Sequence, residues 1–240
     1  MGFRSCSGGT PPSRHLAEGH PQVLIIALVG GSIVSTAQYL IIPVDGDLKG
    51  PELVSEVAEK QTQMAWAAAL DIPVVLLWVP AMLFLGYLAG GMKTKLGLIG
   101  SALIFLPLLA AVPAIIGLDY LALVASGHDD LAAAGGVLQE WLDNPIYGLS
   151  LLVYLAGHVI GFILIGVALF RAKVVPRWAA VMIGVFPFIE VATWNLGKTG
   201  VAFSGVLGLV GFVVAAKALV SSNSQPSPPD DYGVRQTAVV

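Results

Sequence analysis

The chain has 240 residues; 56% are apolar or aromatic, and only 11% are Asp, Glu, Lys or Arg. Soluble domains carry roughly 25% charged residues, so a mean hydropathy of +0.84 excludes a water-soluble fold of ordinary composition. A net charge of -3 excludes the basic face that a nucleic-acid partner requires.

In chain order, residues 1–21 read as a polar N-terminal tail holding the single cysteine, Cys6, which has no partner for an intrachain disulfide. The start resembles a myristoylation signal but has Cys where Ser or Thr is needed. The first apolar run is too long for a cleaved signal peptide and is expected to remain as a helix. Spanning a bilayer takes roughly 20 mostly apolar residues. The stretches 22–44, 64–88, 97–118, 147–170, 178–196 and 201–220 qualify. They are continuously apolar rather than alternating, which predicts helices and not barrel strands. Pro73, Pro80, Pro107, Pro113 and Pro187 fall inside them, where neighbouring spans tolerate kinks. The expected fold is all-α: a polytopic bundle of six transmembrane helices over 22–220. A disordered tail, 221–240, with Pro226, Pro228 and Pro229, follows it.

Basic residues orient the bundle. With both termini cytoplasmic, the inner side holds Arg4, Arg14, Lys93, Lys95, Arg171, Lys173, Arg177, Lys217 and Arg235. The outer side holds only Lys49, Lys60 and Lys198. The expected location is the cell membrane, with the lipid bilayer as partner. Both long outer loops are acidic: Asp45, Asp47, Glu52, Glu56 and Glu59 in 45–63, and Asp129, Asp130, Glu140 and Asp143 in 126–146. Each reads as either a solvated loop or a short amphipathic helix. For the first helix, Pro51 suits the start, with a stripe of Leu53, Val54, Val57 and Ala58. For the second, Asp129 or Asp130 suits the cap, with Val137, Leu138, Trp141 and Leu142 on the apolar side. A weak internal repeat at an offset of 80 pairs Gly86 with Gly166, Lys93 with Lys173 and Pro107 with Pro187. Its two hairpins would run parallel.

An ionisable group inside a span is expensive unless paired, wetted or neutral, which makes it a functional candidate. Asp71, Glu190 and His158 are the three, and a rise of roughly 1.5 Å per residue places them in the outer half of the bilayer or slightly deeper. Asp119 reads as lying at the outer end of the third span, in reach of water. Each has a structural alternative. Asp71 would serve as interhelical glue, Glu190 would snorkel or pair with Lys198, and His158 would pack between Gly157 and Gly161. Aromatic residues also gather toward the outer half. Trp66, Trp78, Tyr154, Phe188 and Trp194 are candidates to line a substrate pocket, the alternative being an interfacial belt.

The chain carries no phosphate-binding glycine motif, His-Glu-x-x-His pattern, paired aspartates for a diphosphate-bound magnesium, or Gly-x-Ser-x-Gly elbow. No metal or cofactor is expected. The run Gly161–Trp178, GFILIGVALFRAKVVPRW, resembles a segment of bacterial six-span membrane proteins of uncharacterised function, in which a helix ends in a basic turn containing Pro-Arg-Trp. This resemblance implies architecture alone. In pattern, an acid on an early helix (Asp71) and another on a late one (Glu190), the chain is similar to the small membrane-bound cyclases of meroterpenoid and indole-terpenoid pathways. Six spans differ from the seven usual in their fungal members, and no motif of theirs is matched. That resemblance implies protonation of an alkene or epoxide by acids within the bundle.

A carboxyl shielded from water favours its neutral form and can act as a Brønsted acid. The leading expectation is therefore an intramembrane acid–base enzyme on a hydrophobic, isoprenoid substrate. Asp71 would be the donor, and Glu190 or His158 the acceptor. The alternatives are a small transporter or exporter subunit using the same carboxylates, and a non-catalytic membrane protein.

Overall fold

The computed structural model describes residues 21–44, 48–90 and 95–223. Cys6, Asp45, Asp47, Lys93, the basic residues Arg4, Arg14 and Arg235, and the proline-rich stretch from 224 onward lie outside the described residues. All regular structure described is helical. The first apolar stretch forms α1 (Pro21–Ile25), a π-helical turn (Ile26–Gly30) and α2 (Gly31–Ile41). After it come α3 (Gly50–Glu59), α4 (Gln61–Gly90) and α5 (Leu96–Ala111). A second π turn (Val112–Ile116) joins α5 to α6 (Gly117–Ala125). The chain continues through α7 (Leu131–Leu142), α8 (Pro145–Ala172), α9 (Arg177–Ala192) and α10 (Lys198–Asn223).

Among the described residues four helices are long and apolar enough to cross a membrane: Gln61–Gly86, Leu96–Ala125, Pro145–Ala172 and Lys198–Ala218. The first apolar segment is shorter and interrupted by its π turn. The fifth, α9, has 16 residues and reaches about 24 Å at 1.5 Å per residue. The α4 helix runs unbroken through Pro73 and Pro80.

The apolar segments close into a ring. α2 packs on α4, α4 on α5, α5 on α8, α8 on α9, α9 on α10, and α10 returns to α2. Small residues let backbones meet where the ring is tightest. A Cβ on Gly161 would sit 2.8 Å from the Gly100 carbonyl oxygen, and one on Gly166 would sit 2.7 Å from the Gly184 Cα. Around these contacts lies an apolar core of Leu85, Ile165, Leu169, Ile183 and Phe212, all essentially without exposure. The outward surface carries exposed Leu76, Leu83, Leu109, Leu149, Leu152 and Val206, the reverse of a soluble protein.

Both acidic loops contain helices, α3 and α7, and these pack on each other. Leu53, Val54 and Val57 of the expected stripe are buried together with Leu138, Ala122 and Met64. Val137 of the second stripe is instead exposed. The Asp130 carboxylate caps α7, accepting from the Ala133 amide at 2.9 Å. Gly50 starts α3 with φ +52°, a left-handed conformation suited to glycine, followed by Pro51. Gly135 faces that turn so closely that any Cβ would overlap the Pro51 backbone.

The order short helix then long helix occurs twice, as α3–α4 and as α7–α8, but the helices that follow differ: Leu96–Ala125 runs 30 residues through its π turn, whereas α9 has 16. Gly86 and Gly166 occupy matching places. Gly86 abuts Gly97 and Ser101 on α5, and Gly166 abuts Ala180 and Gly184 on α9.

Candidate functional site

Several helices present a face with the i, i+3, i+4, i+7 spacing of one side of an α-helix. On α2 this face is Ser32, Ser35, Thr36 and Tyr39; on α4 it is Asp71, Val74, Val75 and Trp78; on α10 it is Val201, Ser204, Gly205 and Gly208. Tyr154 and His158 of α8 and Phe186 and Glu190 of α9 follow the i, i+4 rule. Leu108 of α5 and Ile115 and Ile116 of the second π turn complete the wall. Together they enclose a cavity of about 90 Å³. It is smaller than the roughly 150 Å³ that accommodates a benzene ring.

Asp71 is the most constrained polar group in this wall. It is only 3% exposed, and its Oδ1 accepts a 2.6 Å hydrogen bond from Nε2 of the buried Gln38. Its Oδ2 is buried and has no hydrogen-bond partner. Such an orphan is uncommon, because a buried polar atom without a partner costs on the order of 1–3 kcal/mol. Pro73 deprives the Ala69 carbonyl of its helical donor, and at the adjacent Ala68 carbonyl the Tyr120 hydroxyl donates a 3.1 Å bond. Tyr39 and Glu190 line the same cavity.

The deep end is aromatic. The His158 ring lies 5.2 Å from Tyr154, 4.9 Å from Phe162 and 6.1 Å from Trp78, centroid to centroid. Trp78 meets Phe162 and Phe212 edge-on at 5.7 and 5.9 Å, and Phe186 packs edge-on against Phe162 at 4.9 Å. These are favourable quadrupole geometries. The Trp78 indole N–H is fixed by the Gly31 carbonyl at 3.1 Å, so the ring cannot swing from the wall without losing that bond.

The structure brings Asp71, Glu190, His158, Trp78 and Tyr154 to one cavity. It leaves Trp66, Phe188 and Trp194 outside, at 66%, 58% and 40% exposure. Helical rotation of about 100° per residue explains two of the three. Trp66 lies five residues before Asp71 and so about 140° round the helix, and Phe188 lies two before Glu190, on nearly the opposite side. Trp194 stands one turn beyond Glu190, but α9 ends at Ala192 and the 3-10 turn Trp194–Leu196 carries it outward. Asp119 is also a correction. It is buried, 6% exposed, because the third segment continues to Ala125 and the α3–α7 cap covers that end. Glu190 does not pair with Lys198, which begins α10 beyond the turn.

The residues not foreseen are the α2 set, Ser32, Ser35, Thr36, Gln38 and Tyr39, together with Ser204 on α10. Their signal was present in the polar i, i+3, i+4, i+7 spacing within an apolar run.

Among the described residues no group of three His, Cys, Asp or Glu side chains is arranged to hold a metal ion. The set offers two carboxyls and an imidazole for moving protons, an amide and hydroxyls for orientation, and ring faces for contact with an apolar or cationic group. Comparison with family models, curated proteins and solved structures gives no match to this chain.

Proposed function

We propose that the chain is a cell-membrane protein with six spans and cytoplasmic termini, and that its cavity is an acid–base site for a lipid-soluble substrate. The membrane topology is supported by the four long apolar helices, the two shorter apolar segments that complete their ring, and the bias of basic residues toward one set of helix ends. The observation that carries the catalytic reading is the Asp71 carboxyl. One oxygen is held by Gln38 and the other stands unpartnered in a cavity that also holds Glu190 and His158.

The reaction class that fits is isomerisation by cyclisation of an isoprenoid. The Asp71 carboxyl transfers its proton to an alkene carbon, whose π electron pair forms the new C–H bond. Asp71 is left as carboxylate, and positive charge is left on the neighbouring carbon. A second alkene of the same substrate closes onto that carbon. Glu190 or His158 removes a proton from the ring-closed cation, whose C–H electron pair restores a double bond. Return of that proton to Asp71 completes the cycle, so no oxidant, reductant or co-substrate is consumed. Trp78, Tyr154 and Phe186 offer π faces to the developing charge. A cavity of about 90 Å³ takes the protonated alkene alone, so ring closure requires the helices to part around the second alkene, and the rest of a long substrate lies between helices or in lipid.

The test is incubation of the protein in nanodiscs with farnesyl-substituted phenol and its terminal epoxide in D2O. After back-exchange of O–D, the expected product of the alkene probe is an isomer with one carbon-bound hydrogen replaced by deuterium, one mass unit heavier than the substrate, and that of the epoxide probe is an isomer of unchanged mass. Asp71→Asn, whose amide oxygen still accepts from Gln38, should lower product yield at least about 100-fold while leaving the protein monodisperse. No product from either probe, together with flux driven by a pH gradient in proteoliposomes, would replace catalysis by transport.

A further inference from the structure

The same cavity has an electrostatic property that proton transfer does not require. It holds two carboxyls, and among the described residues no Lys or Arg side chain lines it. No ion pair joins His158 to Asp71 or Glu190. Buried carboxylates without a counter-charge are costly, and the deficit is met either by protons or by a cation that enters the site. The buried, unpartnered Oδ2 of Asp71, a residue of the cavity wall, marks where an additional charge or donor would be received.

The shape of the wall selects among cations. An inorganic cation takes several oxygen ligands at short range; hydroxyls and an amide stand on this wall beside the two carboxyls, but among the described residues no three His, Cys, Asp or Glu side chains are grouped for one. Four aromatic residues, Tyr39, Trp78, Tyr154 and Phe186, stand around the two acids. Ring faces around a carboxylate are the chemistry that recognises alkylated ammonium groups, which spread charge over methyls and do not demand a full hydrogen-bond shell. The volume, about 90 Å³, holds at most a small methylated ammonium head, with Val74, Val75, Ile115 and Ile116 of the wall against its methyls, and leaves an attached alkyl chain to the space between helices or to lipid.

We infer that this cavity is a binding site for the head of a lipophilic alkylammonium cation, held beside Asp71 and Glu190 with its chain outside the cavity, between helices or in lipid. The inference rests on the cavity and not on the reaction proposed above.

The test uses the full chain in nanodiscs, titrated with hexyltrimethylammonium bromide and, separately, with its neutral carbon analogue 2,2-dimethyloctane. Tryptophan fluorescence and Tm are the readouts. Expected results are a saturable fluorescence change with the ammonium, a rise in Tm, and at least tenfold weaker binding of the neutral analogue. Asp71→Asn should weaken ammonium binding at least tenfold, and Asp71→Asn with Glu190→Gln should abolish it. The inference is overturned if the neutral analogue binds equally, or if sodium bromide at the same concentration gives the same shifts. Undiminished affinity in the double variant would overturn it too. The first two comparisons use wild-type protein and do not depend on a variant folding. Saturable ammonium binding by a protein that isomerises no prenyl probe sinks the catalytic reading and leaves this one standing. Isomerisation without ammonium binding does the reverse.

Discussion

The same helices pack by opposite rules in the two halves of the bundle. Toward the end with Gly166 and Gly184, backbones approach until a side-chain carbon has no room, and the enclosed residues are apolar save for Ser101, which donates to the Met82 carbonyl. Toward the end with Asp71 and Glu190, the facing positions carry Ser, Thr, Gln, Tyr and Trp, and the helices enclose a cavity instead of a core. Small residues hold one end shut, so polar and aromatic residues can hold the other open without unravelling the ring. In a bilayer this division is sensible, because burial of apolar surface supplies little drive for helices to associate and close packing must supply it.

The largest effect on this contrast should come from filling the closed half. Gly166→Leu drives a side chain into the α9 backbone and should cost about 3 kcal/mol. It is read as loss of the monodisperse peak in detergent, and Gly166→Ala should give a smaller fall in Tm. In the open half, Asp71→Asn should lower turnover roughly 100- to 10,000-fold, the range of a general acid, with Tm nearly unchanged. A parallel collapse of Tm would show that Asp71 is glue rather than a site. Gln38→Leu is intermediate. It strips Asp71 of its one hydrogen-bond donor and should cost about 1–3 kcal/mol in a denaturation titration. The smallest effect belongs to Trp66→Ala, which should leave turnover unchanged and stability within about 0.5 kcal/mol. A large loss of turnover there would move the site out of the cavity and onto the outer surface.

Asp71, His158 and Glu190 were legible in the sequence because charge inside an apolar run is costly and therefore conspicuous. The hydroxyls of α2 were not, since a Ser or Thr in a helix satisfies itself cheaply on its own backbone; Ser204, for one, donates to the Val201 carbonyl at 2.8 Å. Only the spacing of Ser32, Ser35, Thr36 and Tyr39 betrayed a face. The sequence shows the depth of Trp66 and Phe188 along their helices, and depth says nothing about rotation around them. The burial of Asp119 has another origin. It depends on α3 and α7, from loops whose pairing arises through the contact of Gly135 with Pro51 rather than through any local pattern.

That contact also constrains the order in which the molecule is completed. Pro51 and Gly135 belong to loops separated by α4, α5 and α6, so the apolar side of α3 lacks its partner helix until the ribosome has made residues 131–142. The cap is thus a late joint. A chain stalled or truncated before α7 would leave Leu53, Val54 and Val57 without that cover, a hydrophobic flag that a quality-control protease or chaperone could read.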